Sequence, residues 1–592
     1  MIGVARELQG GTTLDRWTHA VSWIYLVMLG IFAIHTGTEA LREHFTVPVS
    51  DDWLILHDLH FRPLFDWIFE DRNGHRIPLS YLFVALDYQL LDGEMRLLVG
   101  SSLILAIGSA YPLLTAMRRD ANWGMPAERV LFGFAVYTLF WSGGVFHFVW
   151  GIAQCNLLAA FFFLLAIAQL TIALDPRDTG SGSATFWRIT RVGVFAALAT
   201  MSQGAGFASW PSLLAICVVA RAPWRVTGGL GLAAVVTIGT YSATLDHTAI
   251  YRMGLTSVFG ERIAEMAQTS VAFVGFAAAR TAIGLDLADP TELQAWSTAA
   301  GTLGLLVFGG YAFALLRAPD SVRASDFVAV GFMTFAIAIG LVITAVRLPF
   351  LGAPVVLGPR FATWSAFFWA GVFIAVSRSL SRFAGRAAQP IVVTGVLGVS
   401  LSMLPALEQA RVAHHKGLDR AEQTKLALLL GVPGAGKWLY SKKRDVIEKV
   451  ARRHARDGKS PYSDPRRALP GSRFRDHFAL DTRRRCRGAF DVLEDHPEDG
   501  AVSVAGSSEV DGQPLSRQSH VVVTSSDGTI RGLGSFRRSA VGDASGRSWF
   551  GLIADFDPSE RYIAYAILGS GGAACALERV AADSTSTRTK LR

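Results

Sequence analysis

A chain of 592 residues that is 51% hydrophobic and 18% charged, with a mean hydropathy of +0.34, is neither an ordinary soluble enzyme nor a disordered chain. Its net charge of +8 does not call for nucleic acid, because the arginines of the first two thirds fall in short loops between apolar runs, where the positive-inside rule places them. Those runs, roughly 20 residues each, match a hydrocarbon core of about 30 Å, so the class is a polytopic α-helical membrane protein.

Arg6 and Arg16 place the N-terminal tail in the cytoplasm. The first run, about 18–37, is of spanning length without an A-x-A-like exit, so it reads as a retained signal anchor leading outward. It delivers a polar segment to the outer face: Asp51-Asp52-Trp53, then His57, Asp58, His60, Arg62, Asp66, Glu70, Asp71 and Arg72, closing on Asn73-Gly74-His75-Arg76-Ile77-Pro78. Residues 79–93 are apolar but short and interrupted by Asp87 and Asp92, which predicts an interfacial helix. Spans follow at about 97–116, 129–146, 152–174, 190–203, 207–221 and 226–245. The run 271–287 contains Arg280, and if it crossed, the later arginine-rich loops would fall outside. It is therefore read as re-entrant or interfacial. Spans at about 296–316, 327–346, 362–377 and 390–404 complete about eleven crossings in a membrane domain covering 1–405. This count sets the C-terminal region on the same periplasmic side of the inner membrane as Asp51-Asp52.

Residues 406–475 read as a helical, basic connecting segment that ends in a Pro/Ser/Arg-rich linker. Short alternating strands at 501–505, 520–523, 549–553 and 562–568 then predict an extracytoplasmic β-sandwich, jelly-roll-like, over 476–580, with a disordered tail at 581–592. Phe490, Trp549, Phe550, Tyr562 and Tyr565 are of a kind that stacks on sugars, but their place in alternating strands reads for most of them as core. Cys486 and Cys575 bracket the strands, and an oxidising compartment predicts a disulfide between them. Cys155 and Cys217 lie in predicted spans as small buried residues.

Gly431 to Lys437 has the Walker A spacing, but Trp438 stands where a metal-binding hydroxyl belongs, so it reads as a glycine-rich turn. Asp51-Asp52 has two readings. One is a solvated helix start before Trp53; the other is a general base for a sugar hydroxyl, with or without a divalent cation such as Mg or Mn. Arg347 and Arg360 flank a Pro/Gly-rich outer loop, where a guanidinium either snorkels or grips a lipid phosphate.

The acidic pair, the Gly74-His75-Arg76-Ile77-Pro78 lead into 79–93, and Gly358-Pro359-Arg360-Phe361 before a late span together resemble the GT-C class of integral membrane glycosyltransferases, over roughly residues 15–405. The resemblance implies a polyprenyl-phosphate sugar donor and a glycan, lipid or protein acceptor on the outer face. It implies Asp51 or Asp52 as the base, and Arg360, with His75, Arg76 and Arg347, at the donor phosphate. Two other readings stand beside it. A transporter or flippase of lipid-linked precursors requires ionisable residues within the spans, which are nearly free of Asp, Glu and Lys. A polysaccharide-binding scaffold needs neither so many crossings nor an acidic first loop.

Overall fold

The computed structural model describes residues 13–49, 51–71, 76–120, 125–140, 148–175, 177, 182–243, 262–283, 289–358, 361–432, 434, 436, 444–481, 483–484, 486–511, 513–514, 519–537, 548–568 and 572–577. The helices of ten or more residues begin with α1 (Thr13–Arg42), α2 (Asp52–Phe61), α3 (Pro78–Leu90), α4 (Arg96–Gly108), α5 (Pro126–Phe140), α6 (Gln154–Leu174), α7 (Gly182–Ser202) and α8 (Ser209–Val219). They continue with α9 (Trp224–Ala243), α10 (Ile263–Ile283), α11 (Pro290–Arg317), α12 (Ala324–Leu351), α13 (Ala362–Ala384), α14 (Ala388–Ser402), α15 (Leu404–Leu429) and α16 (Arg444–Asp457). Among the described residues, 7 helical runs are long and apolar enough to cross a membrane. Other predicted spans fall on shorter helices, such as the 15-residue α5 and the 11-residue α8.

The chain divides into two compact units, and the division does not follow chain order. A bundle unit holds Met1–Arg42, Ile68–Phe83 and Leu98–Arg411; a sheet unit holds Glu43–Trp67, Val84–Leu97 and Val412–Arg592.

In the bundle, small residues let helices touch backbone to backbone, which is how apolar helices gain contact where lipid offers no hydrophobic contrast. A Cβ on Gly275 would lie 1.9 Å from the Ser297 carbonyl, and one on Gly301 would lie 1.9 Å from that of Val271. α10 and α11 therefore form a close antiparallel hairpin. The described part of the run 271–287, read as re-entrant or interfacial, lies in a 21-residue helix with Ala272, Phe273, Val274 and Phe276 buried, and this helix is not among the membrane-length apolar runs. The same face of α10 meets the start of α13, where Ser365 Oγ donates to the Val274 carbonyl (2.8 Å) and accepts from Ala277 N (2.9 Å), and Trp369 Nε1 donates to Val274 O (3.0 Å).

The opposite end of α13 carries a buried charge network. Asp326, fully buried at the start of α12, accepts from Arg323 N (2.7 Å), Arg382 Nη2 (3.1 Å), Arg378 Nε (3.4 Å) and the Tyr311 hydroxyl. Arg378 also faces Glu128 (3.9 Å), and Asp120 accepts from Ser325 N (3.3 Å). Arg119 and Arg177 pair with Asp175 at 2.9 and 3.1 Å. Loops read as cytoplasmic from their arginines thus meet at one end of the bundle, where Arg119, Arg177, Arg378 and Arg382 are paired with acids.

In the sheet unit, α15 ends at Gly431 (φ +75°), whose successor Val432 donates back to the Ala427 carbonyl (2.8 Å), a left-handed stop that needs glycine. The strands are β1 (Ala479–Leu480), β2 (Cys486–His496), β3 (Ala501–Val510), β4 (Gln513–Pro514), β5 (His520–Thr524), β6 (Ile530–Phe536), β7 (Ser548–Ile553), β8 (Ile563–Leu568) and β9 (Ala573–Ala576). They hydrogen-bond in one 9-stranded path, β1-β9-β8-β5-β6-β7-β3-β2, with β4 beside β3, rather than as two separate facing sheets. Cys486 on β2 and Cys575 on β9 are disulfide-bonded with their Cα atoms 5.9 Å apart, so strands near opposite ends of the path meet and the sheet curls on itself. Side chains alternate between its faces with the period of two expected of strands. Val502, Val504, Val521, Val523, Trp549 and Ile553 fill one face, while Val522, Phe550 and Leu552 pack on the other with Leu426, Leu429, Leu469 and Phe474. The stretch 406–475, expected as a connector, thus supplies one wall of the sheet's core.

Candidate active site

The acidic pair opens α2, nine residues after α1 ends. Val49 N donates to Asp52 Oδ2 (3.0 Å) while Asp52 N donates to the Val49 carbonyl (3.1 Å). This reciprocal pairing, three residues apart, closes a turn just before the helix, with the carboxylate satisfying the buried Val49 donor. Asp52 is accordingly only 3% exposed. Asp51 stands at the cap position, half-buried, and its side chain makes no cap bond to the helix. Both carboxylates lie at a helix N-terminus, where the backbone dipoles favour the anion. The geometry gives Asp52 a holding role and leaves Asp51 as the more accessible oxygen pair.

Further along α2, Asp58 gathers its neighbours, with His57 Nδ1 at 2.9 Å and Arg62 Nε at 3.5 Å. Trp67 Nε1 donates to the Ile55 carbonyl (3.0 Å) and folds the next turn back onto the helix. The buried face of α2 docks on α16. The His60 ring stands 5.3 Å from that of His454 and 4.7 Å from that of Tyr88, and Trp53 is 6.4 Å from His454. Burial, then the neighbouring His454 and Arg453, holds His60 down to about 4, and burial likewise lowers His454, whose Nδ1 meets the Ser460 carbonyl at 2.6 Å. Tyr88 donates to Asp457 (3.3 Å), and Lys459 pairs with Asp92 (3.0 Å). Sequence reading named His60 singly but gave no signal for its partner, because the two imidazoles lie on elements far apart in the chain.

α3 is a 13-residue helix, as predicted for an interfacial segment. Leu82, Leu86 and Leu90 form an exposed stripe at four-residue spacing, and Tyr81, Val84 and Tyr88 are buried. Its acid Asp87 is explained by the next turn: the carboxylate accepts from Met95 N (2.8 Å) and Leu97 N (2.7 Å), capping the start of α4.

Of the residues assigned to a donor phosphate, His75 and Arg360 lie outside the described residues. Arg76 is half-buried in the bundle unit. Its backbone is held at both polar atoms by the Tyr241 hydroxyl, which accepts from Arg76 N (2.5 Å) and lies 3.3 Å from Arg76 O, while Phe207 packs edge-on against Tyr241 at 4.8 Å. Arg347 is half-buried near the end of α12. Asp51 and Asp52 belong to the sheet unit, and Arg76 and Arg347 to the bundle. The glycine-rich turn is filled by an acid: a Cβ on Gly434 would fall 1.8 Å from an Asp499 carboxylate oxygen, and Asp499 is paired with Arg444 at 2.7 Å. A carboxylate in that place repels phosphate, in keeping with the reading as a turn.

No protein-family model and no curated protein matches the chain. Among solved structures it is similar to two membrane proteins. One is the archaeal oligosaccharyltransferase AglB from Archaeoglobus fulgidus, in complex with an inhibitory peptide and a dolichol-phosphate, at 13% identity and TM-score 0.36, covering 66% of this chain and 56% of that one. The other is ArnT from Cupriavidus metallidurans in the apo state, at 14% identity and TM-score 0.36, covering 69% of this chain and 80% of that one. The chain thus spans little more than half the length of the oligosaccharyltransferase.

Proposed function

We propose that the chain is a membrane glycosyltransferase that moves one sugar from a polyprenyl-phosphate carrier to an extracytoplasmic glycan, lipid or protein acceptor. The observation that carries this reading is the docking of α2 on α16. The acidic pair and the C-terminal sheet belong to one folded unit, so the carboxylate of the first loop and the soluble domain are carried together. A lipid-linked donor suits a base fixed immediately beyond a membrane-length helix. In this scheme Asp51 takes the proton from the acceptor hydroxyl as its oxygen attacks the anomeric carbon. The bond from that carbon to the phosphate oxygen breaks, and the polyprenyl phosphate leaves as an anion that Arg76, Arg347 and Arg360, with His75, stabilise. Asp52 keeps the helix start in place through Val49. A divalent cation at Asp51 and Asp52 remains part of the proposal as a ligand of the leaving phosphate. The test is an in vitro transfer assay with the full chain against a panel of polyprenyl-phosphate sugars, with linkage analysis of the product. Transfer that is retained in full by D51N, D52N and the double variant would overturn the catalytic assignment.

A further inference from the structure

Among the described residues of the bundle, several arginines meet a carboxylate, and Arg280 does not. Arg378 and Arg382 meet Asp326, and Arg119 and Arg177 meet Asp175. Arg280, in the last turn of α10, is half-buried, its Nε is sealed from solvent, and it has no hydrogen-bond or ion-pair partner among the described residues. Its guanidinium lies over the Phe276 ring, 5.1 Å from the centroid. Stacking of this kind fixes the plane of the group and leaves its N–H edge to bind something else. An arginine that merely snorkels keeps its head in water; here the head is partly enclosed.

Its place follows from the pairing of α10 with α13. Val274 is bonded to Trp369 and Ser365, and Ala277 to Ser365. The helices therefore run antiparallel, and Arg280, about one turn beyond Ala277, lies toward the N-terminal end of α13. Phe273, on the same face of α10, already has its ring 6.4 Å from that of Phe361. This is the end of α13 opposite the Asp326 network, so the charges collected there are a helix length away.

We propose that Arg280 is the binding residue for the phosphate of a lipid at the outer end of the bundle, gripped by a guanidinium that stands over the Phe276 ring. A guanidinium matches two phosphate oxygens at once, and such charge-assisted pairs are strongest where water is scarce. The assignment deepens the donor side of the glycosyltransferase reading and rests on it only for which lipid is bound.

The experiment uses the purified full chain and its R280Q and R280K variants in phosphatidylcholine nanodiscs, with undecaprenyl phosphate or phosphatidylglycerol as the added lipid and retention read by native mass spectrometry. R280Q is expected to bind undecaprenyl phosphate about tenfold more weakly or worse, with partial recovery in R280K, and with an unchanged or raised Tm because an unpaired charge has been removed. A loss confined to undecaprenyl phosphate assigns the site to the isoprenoid lipid, and an equal loss with phosphatidylglycerol assigns it to bulk headgroups. Unchanged retention of both lipids, or a lowered Tm that accounts for the loss, overturns the site. The readout needs no turnover, so it stands apart from the D51N test: a failed transfer assay with intact Arg280-dependent binding removes the enzyme reading and leaves the phosphate site.

Discussion

Two adjacent carboxylates in one helix start have been given different work by their surroundings, and substitution separates them. Because Asp52 closes a reciprocal pair with Val49, D52A is expected to cost about 1 kcal/mol of stability, the usual loss for a buried hydrogen bond, while D52N keeps an acceptor and most of that stability. D51N should leave Tm unchanged and lower kcat by about 100-fold or more, the range for removing a general base. Thermal melts and transfer rates on the same preparations check both; a Tm fall for D51N equal to that for D52A would erase the distinction. The sequence offered the pair but not the difference, since only the Val49 backbone decides which of them is committed. Tyr241 is a residue of the same kind. It grips the backbone of Arg76 from a helix far along the chain, and Y241F should raise KM for the lipid donor more than it lowers kcat, at a stability cost of about 0.5–1.5 kcal/mol.

At the scale of elements, the joint between α2 and α16 is sensitive to acid. His60 is held down to about 4 in the folded chain against an ordinary value near 6.5, so between these values the unfolded chain binds more protons than the folded one. The contribution of the joint is therefore complete above about pH 6.5 and declines as pH falls toward 4. Hydrogen exchange of α2 between pH 7 and 5 should show protection falling, and H60F should flatten that dependence. His57, Asp58 and Arg62 on α2, Arg453 and Asp457 on α16, and Tyr88 and Lys459 facing them set the local charge, and all should be kept in the comparison. The strands of the sheet were legible because alternation writes itself into sequence, as β3, β5, β7 and β8 show. Their closure into one curled sheet was not, because pairing order is a long-range property. The packing of α10 was hidden for a related reason: Gly275 and Gly301, whose close approach brings it against α11, show their role only in contact.

For the whole molecule, the interleaved units make a topological prediction. Single cysteines at Arg62 and Glu498, both exposed and both in the sheet unit, should react with an impermeant reagent from the same side of the membrane. One at the exposed Arg386, near the charged end of the bundle, should react only after permeabilisation. Labelling of Arg62 and Glu498 positions from opposite sides would separate what the fold joins. Removing the Cys486–Cys575 bond, whose partners are 89 residues apart, should cost the sheet about 2–5 kcal/mol, read as a lowered Tm under reductant or in C486S. The division into a membrane portion and a C-terminal domain was legible from hydropathy; the return of residues 43–67 and 84–97 to that domain was not, since nothing local marks it. That return also sets a schedule for biogenesis. Translation at about 5–20 residues per second separates Trp67 from Val412 by roughly 20–70 seconds. During that interval α2 lacks the helix it docks on. A nascent chain stopped before Arg444 should therefore expose α2 to protease, and full-length release should close that window, which makes the ribosome's progress the clock for completing the first loop.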